Sequence, residues 1–80
     1  MDVTGYAVRP SRHFILTWMR KWNFDIPMVK TALENAHKVN KVGKEKYEAF
    51  CFMKNTSIKI IFIKNEDLKE ILVITGAEGK

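Results

Sequence analysis

Residues 57–64, Ser-Ile-Lys-Ile-Ile-Phe-Ile-Lys, restrict the fold of this chain more than any other stretch. They are rich in β-branched and aromatic residues and have polar residues on both sides, which is typical of a strand with much of its surface buried. Similar runs lie at residues 47–54 and 69–75. The sequence therefore predicts an antiparallel β-meander built on three strands that short polar turns connect.

Alternation along residues 47–54 and 57–64 predicts which side chains share a face of the sheet, because successive residues of a strand point in opposite directions. Each strand therefore divides into two sets. In the first strand, one face has Tyr47, Ala49, Cys51 and Met53, and the other has Glu48, Phe50, Phe52 and Lys54. In the second strand, one face has Ile58, Ile60 and Phe62, and the other has Lys59, Ile61 and Ile63.

Two further segments have weaker strand patterns. Residues 6–8 predict a short edge strand that ends before Pro10, since proline interrupts strand pairing. Residues 38–42 follow the last helical pattern and predict another strand. We therefore expect a sheet of three to five strands over about residues 38–76, followed by a tail that frays.

A helix is predicted over residues 11–22, ahead of the sheet. Ser11 is a good N-cap, because its hydroxyl can accept a hydrogen bond from a backbone N–H of the first turn. Phe14, Trp18 and Trp22 recur at every fourth position, which indicates one broad apolar face. The two tryptophans are expected to lie in the core.

A second helix is predicted over residues 26–37. Asp25 is its expected N-cap, and Pro27 lies in its first turn, where the missing N–H is tolerated. The whole chain, residues 1–80, is then expected to form one α+β domain. In this domain both helices pack on one face of the meander.

Apolar residues in the last strands predict a partner for the other face. Two helices can shield only one face, yet Ile61, Ile63, Leu72 and Ile74 do not all fall on the same side by alternation. A second copy of the chain is the simplest cover, so we expect a homodimer formed through the last strands.

The cellular setting follows from what the sequence lacks. No apolar run approaches the roughly 20 residues that span a bilayer, and the first residues do not resemble a signal peptide. Cys51 is the only cysteine, so no internal disulfide can form. We expect a cytoplasmic protein with no membrane partner, in which Cys51 is a buried structural thiol.

Positive charge is concentrated in the N-terminal half. Residues 1–46 hold nine Lys and Arg against four acids, whereas residues 47–80 hold five of each, and the net charge is +5. Such a field attracts polyanions, and nucleic acid is one natural partner of this kind. The alternative is that the lysines are ordinary solvated surface charges.

Metal and cofactor sites have no support in the sequence. His13 and His37 belong to different helices and no cysteine pair accompanies them, so no metal ligand set is predicted. Gly43 stands alone among charged residues, unlike the glycines of a phosphate-binding loop. The acids around Glu66 lie on a turn, where solvated charge explains them. We predict no cofactor.

The remaining chemistry is that of a metal-free ribonuclease, in which cations stabilise charge on the phosphate while a side chain moves a proton. His13 is the candidate catalytic residue, because histidine exchanges protons near neutrality. The candidate nucleic-acid-binding residues are Arg12, Arg20, Lys44, Lys46 and Lys59.

Several segments together resemble a known family. Ser11-Arg-His13 at the start of the first helix, residues 32–35 (Ala-Leu-Glu-Asn) and the Val73-Ile-Thr75 ending are similar to the DUF4258 family, within the RelE/ParE-like toxin group. The resemblance covers about residues 10–76. Family members often carry arginines one and two turns after the histidine, where this chain has Thr17 and Lys21.

The resemblance implies a RelE-like fold, RNA as the target and an antitoxin-like protein as a partner. The leading interpretation is a small basic protein that binds RNA or a nucleoprotein through its N-terminal half, with metal-independent endoribonuclease activity as an open question. The alternative is a non-catalytic homodimeric interaction module that binds no nucleic acid.

Overall fold

The computed structural model describes residues 1–53 and 55–78 and confirms the α+β class. Five strands and two helical regions follow one another along the chain. The strands are β1 (Ala7–Pro10), β2 (Lys38–Lys41), β3 (Lys46–Met53), β4 (Thr56–Asn65) and β5 (Glu70–Glu78).

The sheet has the order β1-β5-β4-β3-β2. Strands β2 to β5 form the predicted antiparallel meander, but β1 pairs with β5 in parallel, so the prediction of a purely antiparallel sheet is wrong. The cause is the path of the chain: β1 lies at one edge of the sheet, the helices follow it, and β2 lies at the opposite edge. Pro10 is tolerated inside β1, because an edge strand has a side that needs no ladder hydrogen bond.

The first helical region covers residues 12–22 in three segments, Arg12–Phe14, the π-helical Ile15–Met19 and Arg20–Trp22. Ser11 caps it as predicted, since its hydroxyl accepts a hydrogen bond from the N–H of Phe14 at 3.1 Å. Asn23 adopts a left-handed conformation, and the N–H of Phe24 donates to the carbonyl of Met19 at 2.9 Å. This Schellman-type ending turns the chain sharply towards the second helix.

The second helix, Ile26–Glu34, is shorter than the predicted residues 26–37. Asp25 caps it as predicted and accepts from the N–H of Met28 at 2.9 Å. The helix ends early because the N–H of His37 already donates to the carbonyl of Phe50 at the sheet edge. Among the described residues, neither helical region has both the length and the hydrophobicity of a membrane span.

One core lies between the helices and the sheet. It combines buried residues of the helices with one alternating set from the strands, which we call the inner face. The strand residues of this core are Ala49, Cys51, Ile58, Ile60, Phe62, Ile71 and Val73, and its helical residues are Phe14, Trp22, Val29, Ala32 and Leu33. Trp22 is a core residue as predicted, whereas Trp18 is only half-buried.

Gly76 lets the first helix approach β5 closely. A Cβ atom at this position would lie 2.8 Å from Cη2 of Trp22 and 3.0 Å from the carbonyl oxygen of Lys59. Strand β5 continues through Gly76 to Glu78, so the prediction that the chain frays from residue 76 is wrong for the described residues. The Glu78 carboxylate also accepts from the ammonium of Lys21 at 3.2 Å.

Candidate functional site

The face of the sheet that points away from the helices remains partly exposed, and we call it the open face. Its residues occupy the alternate positions of β3, β4 and β5 and are absent from the core. They are Lys46, Glu48, Phe50, Phe52, Ser57, Lys59, Ile61, Ile63, Leu72 and Ile74.

One half of the open face combines aromatic rings with lysines. Phe52 is 60% exposed. Phe50 is half-buried and lies between Lys38 of β2 and Lys59 of β4 in the sheet register. The Lys38 ammonium stands 5.8 Å from the centre of the Phe50 ring. This aromatic–basic half therefore offers flat apolar surfaces with positive charge on both sides.

Among the described residues, one acid partly balances the charge of this half. The Glu48 carboxylate lies 3.9 Å from the Lys59 ammonium and accepts from the side-chain amide of Asn40 at 3.3 Å. The two side chains are only 34% and 21% exposed, but their separation of 3.9 Å is at the outer limit of an ion pair and leaves Lys59 loosely held. Lys59 can therefore turn towards an incoming anion.

The other half of the open face is aliphatic. Ile63 lies opposite Leu72, and Ile61 lies beside the β-bulge that contains Ile74. Leu72 is 41% exposed. Next to it, Arg9 and Glu70 form an ion pair at 3.1 Å on the edge of the sheet. Apolar residues are therefore present on the outer side of the last strands, but Ile61, Ile63, Leu72 and Ile74 all lie on this side, so their predicted division between the two faces is wrong.

His13 is exposed at the start of the first helix. Its Nε2 lies 3.1 Å from Oγ1 of Thr75 in β5, beyond the point where β1 stops covering that strand. The Thr17 hydroxyl donates to the backbone carbonyl of His13 at 2.6 Å. The imidazole is therefore positioned by a hydroxyl and has no acidic partner among the described residues.

The predicted basic residues do not converge on one place. Lys46 and Lys59 belong to the open face, and Lys44 lies in the exposed turn before β3. Arg12 and Arg20 are exposed on the first helix, whose apolar side packs against the inner face. No contact between described residues links the two groups, so the helix arginines and the sheet lysines would meet a ligand separately.

A third group was missed by sequence reasoning. Tyr6, Lys64, Glu66 and Lys69, which we call the Tyr6 cluster, meet at the turn between β4 and β5. The Tyr6 hydroxyl donates to Oε1 of Glu66. The ammonium of Lys64 lies 3.4 Å from Oε2 of the same carboxylate, and that of Lys69 lies 3.7 Å from Oε1. Both ammonium groups are also close to the Tyr6 ring, at 5.1 and 5.2 Å from its centre.

The backbone around the Tyr6 cluster is held by specific hydrogen bonds. The Asn65 side chain accepts from the N–H of Leu68 at 3.0 Å, and the N–H of Ala7 donates to the carbonyl of Lys69 at 2.8 Å. Lys69 has a φ of +53°, a left-handed conformation that costs a residue with a side chain about 1 kcal/mol or more. The turn thus places Lys69 against Tyr6 at some conformational cost.

Charge interactions within the cluster shift two ionisation equilibria. The hydrogen bond from Tyr6 is the main cause that lowers the pKa of Glu66; burial acts in the opposite direction, and Lys64 and Lys69 lower the pKa further. Burial opposes the charged form of Lys64, but attraction to Glu66 and the two neighbouring tyrosines outweighs it, so the pKa of Lys64 is raised. Tyr6 and Glu66 are 60 positions apart, and only the parallel pairing of β1 with β5 brings them together.

The described part of the chain has only a small cleft and no group of metal ligands. A cleft of about 240 Å³ lies between Trp22, Phe24 and Ile58, and the Lys21–Glu78 ion pair also lines it. Small-molecule pockets usually have volumes of about 300–1,000 Å³. Within residues 1–53 and 55–78, no three His, Cys, Asp or Glu side chains come close enough to hold a metal ion.

Comparison of the chain with protein-family models, with curated proteins and with solved structures finds no match. Its function therefore has to be inferred from its own residues. The open face and the Tyr6 cluster are the two arrangements that bring charge together with exposed binding surface.

Proposed function

We propose that this protein binds single-stranded RNA on the aromatic–basic half of the open face. The observation that carries the proposal is the 60% exposed ring of Phe52, next to a Phe50 ring with lysines of neighbouring strands on both sides. In this proposal the two rings stack on bases and Lys38 and Lys59 contact phosphates, while Lys46, which lies beside Ile63 at the aliphatic end, would contact a strand that extends along β3.

Stacking and charge are the two interactions that single-stranded nucleic acid needs. Every base has a π-face, so an exposed aromatic ring contributes about 1–3 kcal/mol per stacked base without reading the sequence. Lysines beside the rings neutralise the backbone and release counterions. The net charge of +5 raises the local concentration of any polyanion.

The resemblance to the RelE/ParE-like group favours RNA over DNA. We extend the proposal to a RelE-like cytoplasmic protein whose partners include an antitoxin-like protein. His13, with Arg12 beside it and Arg20 on the same helix, remains the candidate for metal-independent endoribonuclease activity.

Replacement of Phe52 by Ala is the direct test of the proposal. Fluorescence anisotropy with a labelled single-stranded oligoribonucleotide should give an affinity about 5–150-fold lower for Phe52→Ala than for the unchanged protein. Leu16→Ala is the matched control, because Leu16 is 48% exposed on the first helix, away from the sheet. Equal affinity of both variants would remove the open face from the proposal, and no binding at low salt would remove the proposal itself.

Lysine contacts can be counted by salt dependence. Lys59→Ala should lower the slope of log affinity against log salt concentration by about one unit. Lys30→Ala removes the same charge from the exposed side of the second helix and should leave the slope nearly unchanged. Duplex RNA and single-stranded DNA of matched length complete the series.

A homodimer without nucleic-acid binding is the second candidate, and the aliphatic half of the open face favours it. Leu72 is 41% exposed opposite Ile63, and a second copy that packed there would shield both. Sedimentation should then detect a dimer at micromolar concentration that Leu72→Lys dissociates. A monomer that binds RNA supports the first function, whereas a dimer with no RNA affinity supports the second.

A further inference from the structure

We propose that Tyr6, Lys64 and Lys69 form a phosphate-binding site that the Glu66 carboxylate occupies when no ligand is bound. The site consists of other residues than the open face and does not depend on RNA binding there. The ligand is a phosphate group, carried either by a nucleic acid or by a small molecule.

The donors around Glu66 are those that a phosphate requires. One hydroxyl and two ammonium groups surround a single carboxylate, with nitrogen–oxygen distances of 3.4 and 3.7 Å for the two lysines. A phosphate presents three acceptor oxygens and up to two negative charges at the same place. It can therefore contact all three donors, as the Glu66 carboxylate does, and its second negative charge also neutralises both lysines, which the single charge of a carboxylate cannot do.

Two of the three donors are better fixed than the acceptor. The Lys64 side chain is only 24% exposed, and its residue belongs to β4, whereas the Lys69 side chain is 61% exposed and only its backbone is held, by a hydrogen bond from Ala7. Tyr6 is half-buried. The Glu66 side chain is 62% exposed on the turn and can rotate into solvent without disturbing the sheet. This asymmetry points to the carboxylate as the replaceable part of the cluster.

Displacing Glu66 is inexpensive, because ion pairs that are this exposed contribute little and are screened by salt. A ligand with higher charge can therefore compete successfully. Glu66 also competes with phosphate for the three donors and so lowers the affinity of the site for phosphate. Removal of the Glu66 carboxylate should therefore strengthen phosphate binding. A merely structural carboxylate would have the opposite effect or none.

The test compares two variants on the same turn. Glu66→Gln and Asp67→Asn each remove one negative charge from neighbouring exposed residues, but the described contacts of the cluster involve only Glu66. NMR titration with inorganic phosphate at constant ionic strength should give an affinity about fivefold or more higher for Glu66→Gln, and a change of less than about twofold for Asp67→Asn. Glu66→Ala should behave like Glu66→Gln.

Loss of a donor side chain should reverse the gain in phosphate affinity that Glu66→Gln produces. In the Glu66→Gln background, Lys69→Ala or Tyr6→Phe should return phosphate affinity to that of the unchanged protein or below. Thermal unfolding of each variant establishes that it is folded, and Tyr6→Phe keeps the ring in place if Lys69→Ala does not fold. Equal phosphate affinity of Glu66→Gln and Asp67→Asn, or no detectable binding by either, would overturn the proposal.

Oligonucleotides identify the source of the phosphate. A gain for Glu66→Gln with a 5′-phosphorylated oligoribonucleotide, but not with its 5′-hydroxyl counterpart, assigns the site to a terminal phosphate. An equal gain with both assigns it to phosphates inside the strand, and a gain with inorganic phosphate alone assigns it to a small phosphate compound. Because inorganic phosphate is measured separately, failure of Phe52→Ala to affect RNA binding leaves this result interpretable.

Discussion

The inner and open faces of the sheet are made from alternate residues of the same strands, yet they differ in almost every physical property. Phe62 on the inner face is fully buried, whereas Phe52 on the open face is 60% exposed. The inner face is covered by two helical regions whose apolar residues complete the core. The comparison teaches that a short chain can bury one face of its sheet for stability and leave the other partly exposed to solvent.

The largest expected effect comes from deleting one aromatic ring on each face. Phe62→Ala should lower the free energy of unfolding by about 3–5 kcal/mol, because it leaves a cavity beside Ile60 and Tyr47. Phe52→Ala should change it by less than about 1 kcal/mol, since solvent already reaches that ring. Urea denaturation of both variants measures the difference. Similar losses would mean that something covers the open face in solution.

A test of His13 asks whether the helix side of the molecule also has a function. If the protein cleaves RNA, it should do so in EDTA, and His13→Ala should reduce the rate by about 10²–10⁴-fold, the usual contribution of a proton-transfer group. Thr75→Val removes the hydroxyl that lies 3.1 Å from His13 and should reduce the rate less.

Cleavage that is undiminished in His13→Ala would exclude His13 and direct attention to the lysines of the sheet and the Tyr6 cluster. Hydrogen-exchange or circular dichroism spectra of His13→Ala should match those of the unchanged protein, because the side chain is exposed. A folded protein with no cleavage at all would leave binding as the whole function.

Neighbouring positions in β5 provide a second comparison of the faces. In Gly76→Val the new Cβ would lie only 2.8 Å from Cη2 of Trp22. Because the tryptophan or the strand must then shift, this variant should be less stable by about 1–3 kcal/mol. Ala77→Val adds slightly less volume at the position opposite Lys59, on the side of the open face, and should change stability by less than about 0.5 kcal/mol. Thermal unfolding of the pair checks how closely the first helix is bound to the inner face.

The last expected effect is absent at neutral pH and is a pH dependence from Cys51. Burial raises the pKa of this thiol to about 11, so the folded protein keeps the proton while the unfolded chain loses it near pH 8.5 to 9. The free energy of unfolding should therefore be unaffected below about pH 8 and fall by up to about 1.4 kcal/mol per pH unit between 9 and 11.

Other groups also titrate in that alkaline range, so the measured quantity is the difference between the unchanged protein and Cys51→Ala. That difference should shrink as the pH rises. A pH-independent difference, or rapid reaction of Cys51 with a thiol reagent in the folded protein, would contradict the burial of the thiol on the inner face.

Local parts of the fold could be predicted from neighbouring residues. Ser11 and Asp25 cap the two helices as predicted, because a cap depends on a side chain and backbone groups within three positions of it. The alternation along β3 and β4 also agrees with burial, since the two-residue period of a strand is set by the backbone itself. The early end of the second helix and the parallel position of β1 depended on distant partners and were predicted wrongly.

The candidate binding residues divide in the same way. The open-face positions of Phe50, Phe52 and Lys59 follow from strand alternation. The sequence gives no sign that Lys38 would lie beside Phe50, because that contact depends on the register between β2 and β3. The basic residues of the first helix and of the sheet looked like one surface along the chain, but they belong to elements on different sides of the core.

The amino-acid sequence by itself determined the α+β class, the capped helices and the two faces of the meander, because these depend on interactions over a few residues. Only the tertiary structure decided that β1 lies beside β5, and with it that Tyr6 meets Glu66 across 60 positions. Such a contact requires the closure of a long loop, which local preferences do not encode. Packing of the helices across the inner face offsets that entropy, and the Tyr6 cluster exists as its consequence.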